Sequence, residues 1–416
     1  MAYALFGDPN ARVLGADVPA RPEPAVAPGI LEEICRPGAG ILKKREGFLG
    51  RRFLFDRVDT FLQDSQSGYL VVFGDPGIGK SAFLAELSGR RDYLSHFNIR
   101  AEGFNDARQL QRNLCAQLIA RYGLPYQGLR MDGGFLSEVL EQVAERARGR
   151  KVVICIDALD EADSAEQRDG VNVLCLPRYL PDGVHVIATS RGLDQLPLRT
   201  DVTRDNFFLR QDSAENMADI EAYLRCRLED GTVMAALGRH RLAAETFVKA
   251  LREKSQGNFM YLHYFFQDLV GGAFNGSLDG LPLGLNGYYE EHWRLMGMRE
   301  RSLWLEVKVP ILVALCTAAG PLTLDELARF SGQKQVHVMQ VLGEWAQFLH
   351  RAETEGRGFC YRIYHASFAE FIAAMDGIAG QGVDLDKSRA DRLAAMGAEV
   401  DREMEAYLRE RQQGRR

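Results

Sequence analysis

Eight residues, Gly74-Asp75-Pro76-Gly77-Ile78-Gly79-Lys80-Ser81, have the types and spacing to hold a polyphosphate. The pattern is G-x-x-x-x-G-K-S. Its glycines let backbone N–H groups turn toward an anion, and the N-terminus of a following helix adds positive potential. In such a loop Lys80 reaches the β- and γ-phosphates of a nucleoside triphosphate, and Ser81 holds Mg2+. Asp157 ends the apolar run Val152-Val153-Ile154-Cys155-Ile156 and fits the second, water-mediated magnesium ligand. The residue after Asp157 is Ala158, where a fast ATPase usually carries a glutamate. The acids come later, in Asp157-Ala158-Leu159-Asp160-Glu161. Asp157, Asp160 and Glu161 are therefore the catalytic candidates, and slow or regulated hydrolysis is expected rather than continuous turnover. Asp160 and Glu161 would equally serve as solvated caps of a following helix. Arg191 closes Thr189-Ser190-Arg191 at the end of another apolar run, where a guanidinium can reach a γ-phosphate; the alternative is a surface salt bridge.

The elements that must position these groups can be read from periodicity. Tyr69-Leu70-Val71-Val72-Phe73 is a buried strand before the loop, and Ala82 to Leu87 opens a helix after it. Further apolar runs follow at 96–100, 151–157 and 184–189, then Asn206-Phe207-Phe208-Leu209. Between them helices are expected from Asp106 to Gly123, over 135–148 and over 165–180. Continuous apolar strands alternating with helices indicate a parallel sheet covered on both faces, with ligands at its carboxyl edge. The fold class is thus an α/β P-loop NTPase domain. Beyond residue 212 the pattern is helical, and residues 303–372 read as helices with a β-hairpin, a winged helix. The expected divisions are a tail or docking segment at 1–46, the nucleotide domain at 47–211, a helical domain at 212–290, a winged-helix domain at 291–376 and a charged amphipathic helix at 377–416.

Composition narrows the class. The chain has 416 residues and a net charge of −6, so it lacks the overall basic footprint of a nucleic-acid binder. Seven cysteines are scattered without a C-x-x-C pair and read as reduced thiols. No run approaches the roughly 18 apolar residues of a membrane span, and Met1-Ala2-Tyr3-Ala4 lacks the basic start of a signal peptide. The chain reads as cytoplasmic, with no membrane partner.

Taken together, Phe48-Leu49-Gly50-Arg51, the phosphate loop, Asp157-Ala158-Leu159-Asp160-Glu161, Thr189-Ser190-Arg191, Ser255-Gln256-Gly257-Asn258-Phe259-Met260-Tyr261 and Tyr364-His365-Ala366-Ser367-Phe368 resemble the NACHT-type branch of the STAND NTPases. The resemblance covers about residues 46–375. It implies that nucleotide, helical and winged-helix domains close over ADP, and that exchange for ATP releases them to form a homo-oligomer. By the same resemblance Gly50 and Arg51 lie near the adenine, and Arg191 senses the γ-phosphate. Gly257-Asn258-Phe259 stands where the family has G-x-P, so Phe259 replaces the proline that touches adenine. His365 matches the histidine that contacts the ADP β-phosphate; a satisfied core histidine is the other reading. The expected ligands are ATP or ADP with Mg2+, in a switch used in bacterial antiphage defence or signalling through separate effector and sensor proteins or missing domains. Two alternatives stay open: a DNA-binding regulator that reads through the winged helix, and a motor ATPase. The candidate recognition helix, from Gln335, is nearly free of basic residues, which phosphate contacts require.

Overall fold

Alternation along the central strands decides the architecture. In the computed structural model, β1 (Gly68–Gly74) sends Tyr69, Val71 and Phe73 to one buried cluster and Leu70 and Val72 to another. The first cluster includes Leu110 and Leu114 of α5 (Ala107–Tyr122) and Val139 and Val143 of α6 (Phe135–Ala147). The second includes Leu54 and Val58 of α3 (Arg52–Asp64) and Phe83, Leu84 and Leu87 of α4 (Lys80–Arg91). A strand buried on both faces needs apolar residues at every position, which is why these runs do not alternate in sequence. The structure describes residues 27–100, 103–130, 132, 134–163, 171–192, 196–295, 304–318, 320–354 and 357–374.

The sheet is parallel in the order β2-β3-β4-β1-β5, with β2 at Leu94–Phe97, β3 at Val152–Asp157, β4 at Val184–Ser190 and β5 at Thr203–Leu209. Register aligns Phe73 with Ser190 on one side and Phe208 on the other, and Phe97 with Asp157. The loop, Asp157 and Arg191 are thereby delivered to one edge.

One expectation is revised. The helix expected over 165–180 is not formed over its described part: residues 173–175 make one 3-10 turn in which Leu174 and Cys175 have φ near +53°. Asn172 explains this, because its side chain donates to the carbonyls of Leu176 (2.9 Å) and Arg199 (2.8 Å), and Pro177 and Pro181 forbid a continuous helix. Leu174, Leu176 and Leu180 are buried all the same, so burial alone mimicked a helical pattern. Of the segment 1–46, residues 27–46, with the short helices α1 (Pro28–Leu31) and α2 (Ala39–Lys43), dock on the nucleotide domain: Ile30 joins the α5–α6 cluster and Ile41 the α3–α4 cluster. The expected helix at 377–416 lies outside the described residues.

Among the described residues, five helices follow the sheet: α7 (Ala214–Arg227), α8 (Gly231–His240), α9 (Ala244–Lys254), α10 (Phe259–Gly271) and α11 (Gly284–Leu295). A C-terminal unit then runs helix Val309–Thr317, strand Leu322–Thr323, helices Leu324–Ser331 and Gln335–Glu344, and the hairpin Leu349–Thr354/Gly358–Ile363. Its last described helix is Ala366–Ala374. One buried cluster runs from Ile220 to Ile372 and unites the helical domain with the C-terminal unit. Its seam is aromatic: Tyr264 meets Phe348 at 5.2 Å between ring centroids, and Tyr289 meets Phe368 at 5.3 Å. Among the described residues, none of the three buried apolar clusters crosses from the nucleotide domain into this arm.

Candidate phosphate-loop site

The strand–loop–helix junction has the conformation its glycines permit. Gly77 and Gly79 have φ of +78° and +101°, a region costly for any residue with a Cβ. Lys80 opens α4 and Ser81 follows it. The loop's carbonyls are all accounted for. The Lys80 ammonium donates to the carbonyls of Gly74 and, at 3.0 Å, Asp75. Asn258 Nδ2 donates to Pro76 O (2.9 Å), the amides of Phe259 and Met260 to Gly77 O (3.1 Å each), and Arg51 Nη2 to Ile78 O. Burial lowers the Lys80 pKa to about 8, against the pull of Asp160 and Asp157.

Gly50 and Arg51 enter α3 with left-handed backbone, φ +81° and +62°. A Cβ on Gly50 would stand 2.3 Å from Asp219 Oδ1. The Arg51 side chain, only 2% exposed, is engaged by protein: Nη1 donates to Asn216 Oδ1 at 2.6 Å and lies 3.7 Å from Asp219, and the guanidinium stacks 4.8 Å from the centroid of Phe259. Burial depresses the Arg51 pKa to about 10 and raises that of Asp219, so desolvation outweighs attraction on both sides of the pair. Gly257 (φ +78°) sits so close to Gln211 O that a Cβ would be 2.1 Å away. Its own carbonyl accepts from Asn216 Nδ2 at 2.9 Å. Arg51 and Phe259 thus meet the loop, at Ile78 O and Gly77 O, while Gly50 packs on Asp219 and Gly257 on Gln211 and Asn216; the Arg51 guanidinium is committed to the helical domain and the loop.

Asp157, 3% exposed, accepts from the Thr189 hydroxyl, which in turn accepts from the Ala158 amide at 2.8 Å. Asp160 and Glu161 lie in a 3-10 turn (Leu159–Glu161) after β3. Asp160 takes the Arg191 amide at 3.1 Å and its Nε at 3.0 Å. Glu161 accepts the Arg100 amide at 3.1 Å, and burial raises its pKa. Arg191 also reaches Glu161 at 3.8 Å and Glu370 of the C-terminal unit. Burial alone would lower the Arg191 pKa, but Glu370, Asp160 and Glu161 together raise it. Sequence reading missed Glu370, and no local signal marks it.

His365 immediately precedes the last described helix, with Nδ1 2.7 Å from Ser367 Oγ and accepting the Ser367 amide at 3.2 Å. The neutral ring therefore carries its proton on Nε2. The ring keeps some solvent contact, yet its pKa is pushed down to about 3, by burial first and then by Lys44, Arg191 and Lys80. Positive charge from three separate parts of the chain, Lys44, Arg191 and Lys80, thus bears on this ring, although Asp160, Glu161 and Glu370 already engage Arg191. A polyphosphate is the group such a field accepts, and Ser81 with Asp157 suits a magnesium ion that takes its remaining ligands from phosphate and water. Beside the loop opens a cavity of about 510 Å3, lined by Phe73, Gly74, Asp75, Arg191, Phe208 and Gln256 among others. No group of three or more metal-ligating side chains occurs among the described residues, and no helix there is long and apolar enough to cross a membrane.

No family model matches the chain. Among curated proteins it is similar to the human NACHT domain- and WD repeat-containing protein 1, 30% identical over 160 residues, covering 34% of this chain and 10% of that protein. The mouse counterpart is 31% identical over 160 residues, with 34% and 10% covered. The matched region therefore spans about a tenth of the length of these relatives. Among solved structures it is similar to a STAND protein with a tetratricopeptide repeat sensor from Pyrococcus horikoshii, at 15% identity and a TM-score of 0.39, covering 79% of this chain and 42% of that one. It is also similar to a Drosophila ORC structure bound to DNA, at 14% identity and a TM-score of 0.34, with 83% and 99% covered. With the loop geometry, the curated matches support a NACHT-type P-loop NTPase core.

Proposed function

We propose that this chain, a NACHT-type P-loop NTPase core, is a nucleotide-controlled switch that ADP holds closed and that exchange for ATP opens, freeing it to oligomerise. The observation that carries the reading is that Lys80 and Arg191, from the loop and the sheet edge, both bear on His365 of the C-terminal unit. A phosphate seated over Lys80 would be shared between the nucleotide domain and the arm. In this reading Gly74 to Ser81 cradle the phosphates, Ser81 and Asp157 hold Mg2+, Arg191 reports the γ-phosphate and His365 donates from Nε2 to the β-phosphate. The bound nucleotide supplies phosphate charge and the metal neutralises part of it.

Magnitudes suit a switch. Moving a two-state equilibrium from 1:99 to 99:1 takes about 5.5 kcal/mol of differential binding. Nucleotide at roughly 1,000 times its Kd supplies about 4 kcal/mol, so a partner need add little. Glu161, with its raised pKa, and Asp160, held by Arg191, are the two acids available to assist slow hydrolysis. We further propose a setting in the bacterial cytoplasm, in antiphage defence or signalling, with effector and sensor supplied by partners or by further domains. Against a DNA reader stands the helix Gln335–Glu344, which has no Lys or Arg and exposes Val336 and Met339.

Mass spectrometry of the nucleotide that co-purifies with the protein tests the reading. ADP is expected at close to one per chain, and none with Lys80→Ala. Absence of nucleotide from wild type, with no binding of added ADP or ATP, would overturn it. Turnover above about 1 s⁻¹ without a partner would favour a motor instead.

A further inference from the structure

We propose that Asn258 positions the phosphate loop, so that the loop is set for phosphate only while the helical domain is docked on it. The inference rests on the nucleotide reading above and adds a residue from outside the nucleotide domain. A phosphate loop works through its backbone N–H groups, and each peptide unit that turns its N–H inward must turn its C=O away. Those outward carbonyls need partners when they are removed from water. Lys80 satisfies the first two, at Gly74 and Asp75, from within the domain. For the next two the partners come from the helical domain: Asn258 Nδ2 at Pro76 O and the Phe259 and Met260 amides at Gly77 O. Arg51 serves the Ile78 carbonyl while Asn216 and Asp219 of the same helical domain hold its side chain.

Asn258 does two jobs that fix its orientation. Its Oδ1 caps α10, accepting the amides of Met260 (3.0 Å) and Tyr261 (3.2 Å). Its Nδ2 can then face only the loop, where Pro76 O lies at 2.9 Å. Aspartate or serine would cap the helix equally well, but neither has an N–H2 to give. The choice of asparagine separates positioning from capping. Gly77 supports the same contact independently: a Cβ there would stand 2.6 Å from Asn258 Oδ1 and 2.7 Å from Met260 Cβ. The loop is therefore glycine at this point because α10 lies against it as well as because φ is +78°. Linkage makes the coupling reciprocal: whatever factor docking adds to phosphate affinity, phosphate adds to docking.

The test uses the full chain with Asn258→Ser, a neutral cap whose shorter side chain lacks the amide N–H2 that reaches Pro76 O. Expected are a nucleotide-free thermal midpoint within about 2 °C of wild type, because the cap survives, and ADP affinity by calorimetry weaker by roughly tenfold. Should the serine variant fail to fold, Asn258→Thr carries the same comparison. ADP affinity within twofold of wild type, with or without a lowered midpoint, would assign Asn258 to capping alone and sink the proposal. Failure of wild type itself to bind ADP would instead refute the nucleotide reading, and Lys80→Ala sets the level that counts as no binding.

Discussion

His365 offers a prediction whose size follows from the structure. Its pKa in the folded protein is about 3, against about 6.5 in an unfolded chain. Between those values the unfolded chain holds a proton that the folded chain refuses, so stability falls as pH drops. At pH 7 the group is neutral in both states and contributes nothing. From 6.5 to 5.0 the penalty grows by about 1.4 kcal/mol per pH unit, or about 2 kcal/mol in total. His365→Asn removes the titration while its side-chain oxygen can still accept the Ser367 amide that Nδ1 accepts now. The assay is the thermal midpoint of nucleotide-free protein at pH 7.0 and 5.0, in wild type and variant. His96, His185 and His263, whose pKa values are also lowered by burial, act equally in both proteins and cancel. The variant should lose less on acidification than wild type, by roughly 4–8 °C for a unit of 150–250 residues. Equal losses would show that neither burial nor the Lys44, Arg191 and Lys80 charges depress this ring, and the reading of His365 as part of the phosphate site would lose its main support.

Two further perturbations bear on neighbouring contacts. Gly77→Ala forces a Cβ into a left-handed backbone and against α10, at a cost of about 2–4 kcal/mol; the protein should shed ADP on desalting, and wild-type retention would show that loop and helix do not meet. Glu370→Gln removes one of three carboxylates from Arg191, and because Glu370 is 57% exposed the loss is about 0–1 kcal/mol. Limited proteolysis between the nucleotide domain and the C-terminal unit should quicken by at most about fivefold, and a larger rise would mean that this ion pair is the main tie.

Local chemistry was legible and long-range pairing was not. The loop, its flanking strand and helix, and the buried run ending at Asp157 announce themselves because glycine spacing and apolar continuity are local properties. Asp106 at the head of α5 could be read the same way, and it forms a capping box with Gln109. The partners of Arg51 and Arg191 could not: Asp219 and Glu370 lie 168 and 179 residues away, and neither sits in a pattern that names its mate. Arg51 illustrates the consequence: the resemblance implied a place near the adenine, while the direction of its guanidinium depends on Asn216 and Phe259. Asn258 left one usable trace, an asparagine heading an apolar helical run, which predicts a cap but not the second hydrogen bond to Pro76. The segment 171–180 misled because leucines spaced for burial look helical until Asn172 and two prolines are weighed.

The aromatic seam within the arm and the polar contacts between arm and nucleotide domain differ in how they respond to conditions. Parting the arm from the nucleotide domain wets carboxylates, guanidinium groups and amides but little buried apolar surface. Such a step has a small heat-capacity change, so its equilibrium drifts little with temperature and strongly with ionic strength. Splitting the arm along Tyr264, Tyr289, Phe348 and Phe368 would instead wet rings, with a large heat-capacity change and weakening on cooling. The chain therefore has a thermally steady joint beside its phosphate loop and a temperature-sensitive one behind it, and calorimetry of the opening step would tell which of the two moves.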